Sequence, residues 1–173
     1  MSEKLYYNLT SIGHFSEKEQ MMVIGGNKIG NCINIDSSSF KWFTDKEILF
    51  SDEETVEIDE KLVMKSIMDV ANNANNVVVM IHSHPCKSPI DKYVYGILSD
   101  SDLENARKLL PFCESKNLYL YDGVITGNQI YFWDIDNSND LPMQIDCYVD
   151  GKLMNNRLPS VENKILDTFA SKK

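Results

Sequence analysis

Val77-Val78-Val79-Met80-Ile81, followed at once by His82-Ser83-His84-Pro85, constrains this chain more than any other stretch. A continuous apolar run rich in β-branched residues is the pattern of a strand buried on both faces, which belongs in the interior of a helix-covered sheet. The run therefore predicts an α/β domain with this strand at its centre. In an extended strand residues i and i+2 project to the same face, so the imidazoles of His82 and His84 leave the strand end together and can grip one ion. Two of the chain's three histidines lie in this pair.

Apolar spacing places the other elements around that strand. Asp59 is a natural N-cap, and Leu62, Val63, Ile67, Val70, Ala71 and Ala74 recur at three- and four-residue intervals, predicting a helix over residues 60–74 that the Asn-rich stretch 72–76 frays. A second helix starts near Ser99 with Leu103, Ala106, Leu109 and Leu110 facing inward, and Pro111 is expected to stop it. Met21-Met22-Val23-Ile24, ended by Gly25-Gly26, reads as a strand, and Cys32-Ile33-Asn34-Ile35 as its hairpin partner. Residues 6–12 fit either a strand or the lead into a helix. Residues 36–57 fit a short strand or two packed by Phe40, Trp42, Phe43, Ile48, Leu49 and Phe50. Residues 118–121 and 129–133 read as strands joined by a Gly-containing turn over 122–128, and residues 143–154 as a short strand or hairpin around Asp150-Gly151. The tail from Pro159 carries a short amphipathic pattern of Val161, Ile165, Leu166 and Phe169. The expected architecture is a curved, mixed β-sheet flanked by helices, one on each side. Residues 1–140 form the domain and 141–173 a C-terminal extension of it.

A two-histidine chelate suits zinc, and an open catalytic zinc site takes three protein ligands. Asp102, in the first turn of the helix that begins near Ser99, is the candidate third ligand. Ser99-x-x-Asp102 also has the spacing of a capping box, which satisfies helix amides with the same two side chains. Cys86, two residues past His84, is a candidate fourth ligand that would close the site and make it structural; adjacent ligands on a turning chain rarely reach one tetrahedron. A zinc deaminase would need a Glu beside the His and a second Cys three residues after the first, and Ser83 and Lys87-Ser88 do not supply them. His14 stands alone in a polar stretch and reads as a surface residue.

His82-Ser83-His84-Pro85 followed by Ser99-Asp100-Ser101-Asp102 resembles the His-x-His-Pro … Ser-x-x-Asp signature of the JAMM (MPN-type) zinc metalloproteases. The resemblance extends over residues 17–133 and implies a JAMM/MPN-like, cytidine-deaminase-like architecture. In that family a Glu just before a glycine-ended strand is the acid/base; Glu19, ahead of Met21-Met22-Val23-Ile24-Gly25-Gly26, holds that position, with Glu17 as the fallback. Met22 stands where the family often has a small residue, and the loop over residues 85–98 is several residues longer than usual. The resemblance implies that His82, His84 and Asp102 bind Zn2+, that Glu19 shuttles the proton of the attacking water and that Ser99 stabilises the oxyanion. It also implies cleavage after the C-terminal tail of ubiquitin or a ubiquitin-like or sulfur-carrier-like protein. The rival within the family is a non-catalytic scaffold that has lost its metal.

Charge and composition exclude other classes. With 17 Lys and Arg against 26 Asp and Glu, the net charge of −9 repels phosphate backbones and argues against nucleic acid as a partner. No membrane-spanning apolar run is visible, and the polar start of the chain lacks a signal-peptide pattern, so the expected location is the cytoplasm, with no membrane partner. Cys32, Cys86, Cys113 and Cys147 show no paired spacing and are expected to be free thiols.

Overall fold

The structure, a computed structural model, describes residues 1–15, 17–52, 56–71, 75–85, 98–127, 129–135, 143–149 and 152–154, with only the helical backbone of 12–15. In chain order these form α1 (Glu3–Phe15), β1 (Met21–Ile29), β2 (Cys32–Trp42), β3 (Ile48–Ser51), β4 (Val56–Ile58), α2 (Glu60–Val70), β5 (Val77–Ser83), α3 (Asp100–Ser115), β6 (Tyr119–Thr126), β7 (Gln129–Asp134), β8 (Met143–Ile145), β9 (Tyr148–Val149) and β10 (Lys152–Leu153). Six strands make one sheet in the order β2-β1-β5-β6-β7-β8. Only β5 and β6 run parallel, joined by the segment that contains α3; every other neighbouring pair is antiparallel. The chain is thus a mixed α/β domain. The hydrophobic run lies inside the sheet as β5, all seven residues of which are buried.

Strand alternation assigns the two faces of the sheet. Val23, Val78, Met80, Leu120, Val124, Tyr131 and Trp133 pack with Val63, Ile67 and Val70 of α2 and with Ala106, Leu109 and Cys113 of α3. Met22, Ile24, Val79, Ile81, Tyr121 and Phe132 face the other way, against Tyr6 and Leu9 of α1. The expectation of one helix on each side is therefore corrected: α2 and α3 share a face, and α1 covers the opposite one. Residues 6–12 belong to α1, where Tyr6 and Leu9, one turn apart, are each 2% exposed.

Three boundaries also differ from expectation. β1 does not end at its glycines but continues to Ile29, with an irregularity between Ile24 and Gly26. A Cβ on Gly25 would lie 2.5 Å from the carbonyl oxygen of Val70, so the residue is small because the end of α2 crosses the strand there. Pro111 lies inside α3 and does not stop it. Its missing N–H falls on the exposed side of the helix, where water can replace the lost bond, while fully buried Cys113 and partly buried Phe112 keep the next turn on the core. Residues 122–126 are not a turn either: β6 runs through them to Thr126, and Gly127, at φ +56°, makes the turn.

α2 starts at the expected cap, Asp59, whose side chain accepts a hydrogen bond from the Leu62 amide at 3.1 Å. It ends at Val70, with Ala71 as C-cap; Ala74 lies outside the described residues. The β1–β2 hairpin is present, and β2 extends to Trp42. Of the aromatics expected to pack residues 36–57, Phe43 is fully buried, whereas Phe40 and Phe50 are about half exposed. The β9–β10 hairpin falls where the Asp150-Gly151 pattern puts it. Cys32, Cys113 and Cys147 form no disulfide among the described residues. Cys86, most of the loop over residues 85–98 and the tail from Pro159 lie outside the described residues.

Candidate metal centre

His82 continues the series Val78, Met80 on the face of β5 that α2 and α3 cover, and His84 follows just past the strand end. The His84 amide donates to the Ile125 carbonyl at 2.8 Å, so β6 still carries the chain at that point. Both histidines are buried, at 6% and 8% exposure. Their Nε2 atoms lie 3.0 Å apart. Asp102 completes a triangle from α3: its Oδ2 is 3.4 Å from Nε2 of His82 and 3.6 Å from Nε2 of His84.

These edges suit a metal. Ligand bonds of 2.0–2.1 Å in a tetrahedron give donor separations of about 3.4 Å, and the three edges of this triangle, 3.0, 3.4 and 3.6 Å, bracket that value. Two neutral nitrogen donors and one carboxylate also make a donor set suited to a divalent ion. His82, His84 and Asp102 are the one His/Cys/Asp/Glu group among the described residues whose side-chain atoms converge this way.

The first turn of α3 holds Asp102 by the capping box that the sequence suggests. The Ser99 hydroxyl accepts from the Asp102 amide at 3.2 Å, and the Ser99 amide donates to Asp102 Oδ2 at 2.7 Å. The Ser99 hydroxyl is also 2.6 Å from the same Oδ2. One carboxylate oxygen thus meets the helix cap and both imidazoles, so the residue that caps α3 is held by that cap against the two histidines.

Glu19 lies beside this triangle. It extends the β1 series Glu19, Met21, Val23 onto the same face, and its Oε1 is 3.5 Å from Nε2 of His84. The residue is only 2% exposed, far from the solvated surface acid that a lone Glu usually is, whereas Glu17 is exposed. The backbone around Glu19 is clamped from two sides. Its amide donates to the Asp52 carbonyl at 2.8 Å and its carbonyl accepts from the Ser51 hydroxyl at 2.7 Å, at the end of β3 and one residue beyond it. Next to it, the Gln20 amide donates to the Ser83 hydroxyl at 2.9 Å, and the Ser83 amide donates back to the Gln20 carbonyl at 2.9 Å. Ser83, the residue between the two histidines, thus ties the acid's segment to the strand that carries the imidazoles.

No protein-family model matches the chain, and no curated protein matches it. The centre is therefore read from its own geometry.

Sequence reasoning missed one acid. Asp122 lies on β6 between Leu120 and Val124, on the site's face, and is 2% exposed. Its Oδ1 is 3.4 Å from Nδ1 of His82 and accepts from the Gly123 amide at 2.7 Å. The Asp122-Gly123 dipeptide looks like a turn, and that reading hid the alternation Leu120, Asp122, Val124, in which one acid interrupts an apolar strand face. Ser51, Asp52 and Ser83 were missed as well; their roles depend on tertiary contacts that no local pattern announces.

The electrostatics of the cluster follow from its burial. Burial alone pulls the His82 imidazole down, yet the carboxylates of Asp102 and Asp122 outweigh it and raise His82 well above the ordinary imidazole range. Burial pushes Asp102 up, but hydrogen bonds from His82, His84 and Ser99 prevail and hold its carboxyl well below the usual carboxylate range. Asp122 is raised, by burial first, with His82 offsetting part of the shift. Carboxylates are withdrawn from water at this cost only when a cation or a hydrogen-bond network compensates. Three of them around two imidazoles make a site that favours a divalent cation.

Proposed function

We propose that the chain is a zinc-dependent isopeptidase or peptidase of the JAMM type, cleaving after the C-terminal tail of ubiquitin or a ubiquitin-like or sulfur-carrier-like protein. The observation that carries this reading is the His82-His84-Asp102 triangle with buried Glu19 3.5 Å from one of its nitrogens. His82, His84 and Asp102 would hold a zinc ion with three protein donors and so leave room for a reacting group, as an open catalytic site requires. Zinc bound there supplies Lewis-acid polarisation of a carbonyl and of a water molecule. Glu19 takes the water's proton and hands it to the departing amine, a task suited to a carboxylate held against the metal ligands and away from bulk solvent. Ser99, whose hydroxyl lies 2.6 Å from the Asp102 carboxylate, turns that hydroxyl from Asp102 to the developing oxyanion. The tail enters extended and adds a strand to a sheet edge.

Elemental analysis of purified protein, wild type beside Asp102→Ala, tests the metal. About one zinc per chain in wild type and a sharp loss in the variant support the open three-ligand site. Zinc retained in the variant points to a further ligand such as Cys86. Cleavage of a ubiquitin-like fusion by the zinc-loaded wild type tests the activity; a protein that binds zinc and cleaves no such fusion is a scaffold.

A further inference from the structure

Asp122 is the feature that this mechanism leaves unused. It is an acid on an interior strand, 2% exposed, between Leu120 and Val124 on the sheet face that α2 and α3 cover. Accepting from the Gly123 amide at 2.7 Å is a structural task, but it needs only a neutral acceptor, and a charged side chain in a strand interior carries a desolvation cost that this bond does not require. Its Oδ1 reaches in one direction only among the described side chains, to Nδ1 of His82 at 3.4 Å. The opposite nitrogen of the same ring, Nε2, faces Nε2 of His84 and Oδ2 of Asp102.

We infer that Asp122 is a positioning residue for the metal centre: as a carboxylate that only accepts, it keeps the proton of His82 on Nδ1, fixes the ring plane, and presents the Nε2 lone pair to the ion. The inference rests on the metal-site part of the proposed function and not on any substrate. An imidazole free to choose its tautomer places a proton on Nε2 part of the time, and in that form it binds no metal. A carboxylate behind the ring removes that form and makes the ligand a stronger donor. Asp122 touches neither the ion nor the substrate and acts only through His82.

Zinc affinity of the purified protein, measured by competition with a chromogenic chelator, tests this with Asp122→Asn and Asp122→Leu. Asn keeps an acceptor oxygen at Oδ1 but loses the charge, while Leu has similar volume and accepts nothing. Zinc binding is expected to weaken about tenfold in Asn and about a hundredfold in Leu, the range typical of outer-sphere partners. Circular dichroism reports whether each variant is folded. A folded Asp122→Leu that binds zinc as tightly as wild type overturns the inference. The second readout needs no variant. In zinc-loaded wild type, the His82 ring should show one slowly exchanging, downfield Nδ1–H resonance by nitrogen-edited NMR; a proton on Nε2, or none held on Nδ1, overturns the inference even if both variants fail to fold. Tight zinc binding with the expected Asp122 dependence and no cleavage of modifier fusions would sink the isopeptidase reading and leave this one standing. A wild type that binds no zinc would sink both.

Discussion

Glu19 carries the sharpest consequence at the scale of a single residue. A buried carboxylate beside metal ligands is suited to proton transfer, and general acid–base groups of this kind contribute about 10²–10⁴-fold to rate. Glu19→Gln keeps the size of the side chain and removes its ability to take a proton. It should lower kcat by about that factor with zinc content unchanged, read by fusion cleavage alongside elemental analysis. A variant that retains full activity would remove Glu19 from the mechanism and reopen Glu17, whose exposed position fits the role poorly. The candidate ligands were legible in the sequence because alternation along a strand and a three-residue spacing at a helix start are local geometry. Glu19 needed the family resemblance to be singled out, since nothing local separates it from Glu17.

At the scale of elements, the site is a junction of three backbone segments, and Ser83 fastens two of them. Ser83→Ala leaves the partly buried Gln20 amide without its acceptor, a loss of about 1 kcal/mol, the low end of the range for an unsatisfied donor. Hydrogen exchange at Gln20 should accelerate, and turnover should fall while zinc stays bound; unchanged exchange at Gln20 would show that the hydroxyl does not hold the segment. Helix α3 carries a cost of its own. A proline inside a helix costs about 3 kcal/mol, so Pro111→Ala should raise stability by up to that amount, read as a higher urea midpoint. An unchanged or lower midpoint would mean that the local backbone has already absorbed the defect. The sequence misleads at this position and at Asp122-Gly123 for the same reason. Proline and Asp-Gly are strong local signals for stopping and turning, and the packing of Phe112 and Cys113 in one case, and the burial of β6 from Leu120 to Thr126 in the other, override them. The central strand, the capped helices and the first hairpin were legible because their local and tertiary preferences agree. Which face α2 and α3 occupy was not, since periodicity gives a helix its apolar side but not the side of the sheet that receives it.

At the scale of the whole molecule, two electrostatic expectations stand. The first concerns metal and pH. In the metal-free protein the folded pKa of His82 is raised, so the stability it contributes is fully present below its unfolded value of about 6.5 and is lost as pH rises through the folded value. Asp122, also raised, contributes with the same sign from its own unfolded value upward. Zinc requires the imidazoles without their second protons, so its stabilisation grows with pH. The gap in Tm between zinc-loaded and metal-free protein should therefore widen from pH 6 to pH 8, as differential scanning fluorimetry can follow; a gap that narrows would contradict the assigned ligands. The second concerns substrate. A net charge of −9 attracts basic tails, and that attraction is screened by salt, so KM for a basic-tailed modifier should rise between low and physiological ionic strength. A KM independent of salt would mean that recognition is apolar. No helix among the described residues is long and apolar enough to cross a membrane.

The Ser99–Asp102 capping box has a consequence for how such a chain can drift over generations. Under the proposed function two demands converge on the same pair of side chains, one from the helix and one from the ion, so either is enough to keep them. A descendant that abandons catalysis can go on displaying Ser99 and Asp102 because α3 still needs its first turn. Under the proposed function Glu19 serves turnover and caps no helix, so a descendant that no longer turns over substrate has less reason to keep an acid there. Among descendants of this chain, the identity at position 19 would mark a working enzyme more faithfully than the helix-capping pair.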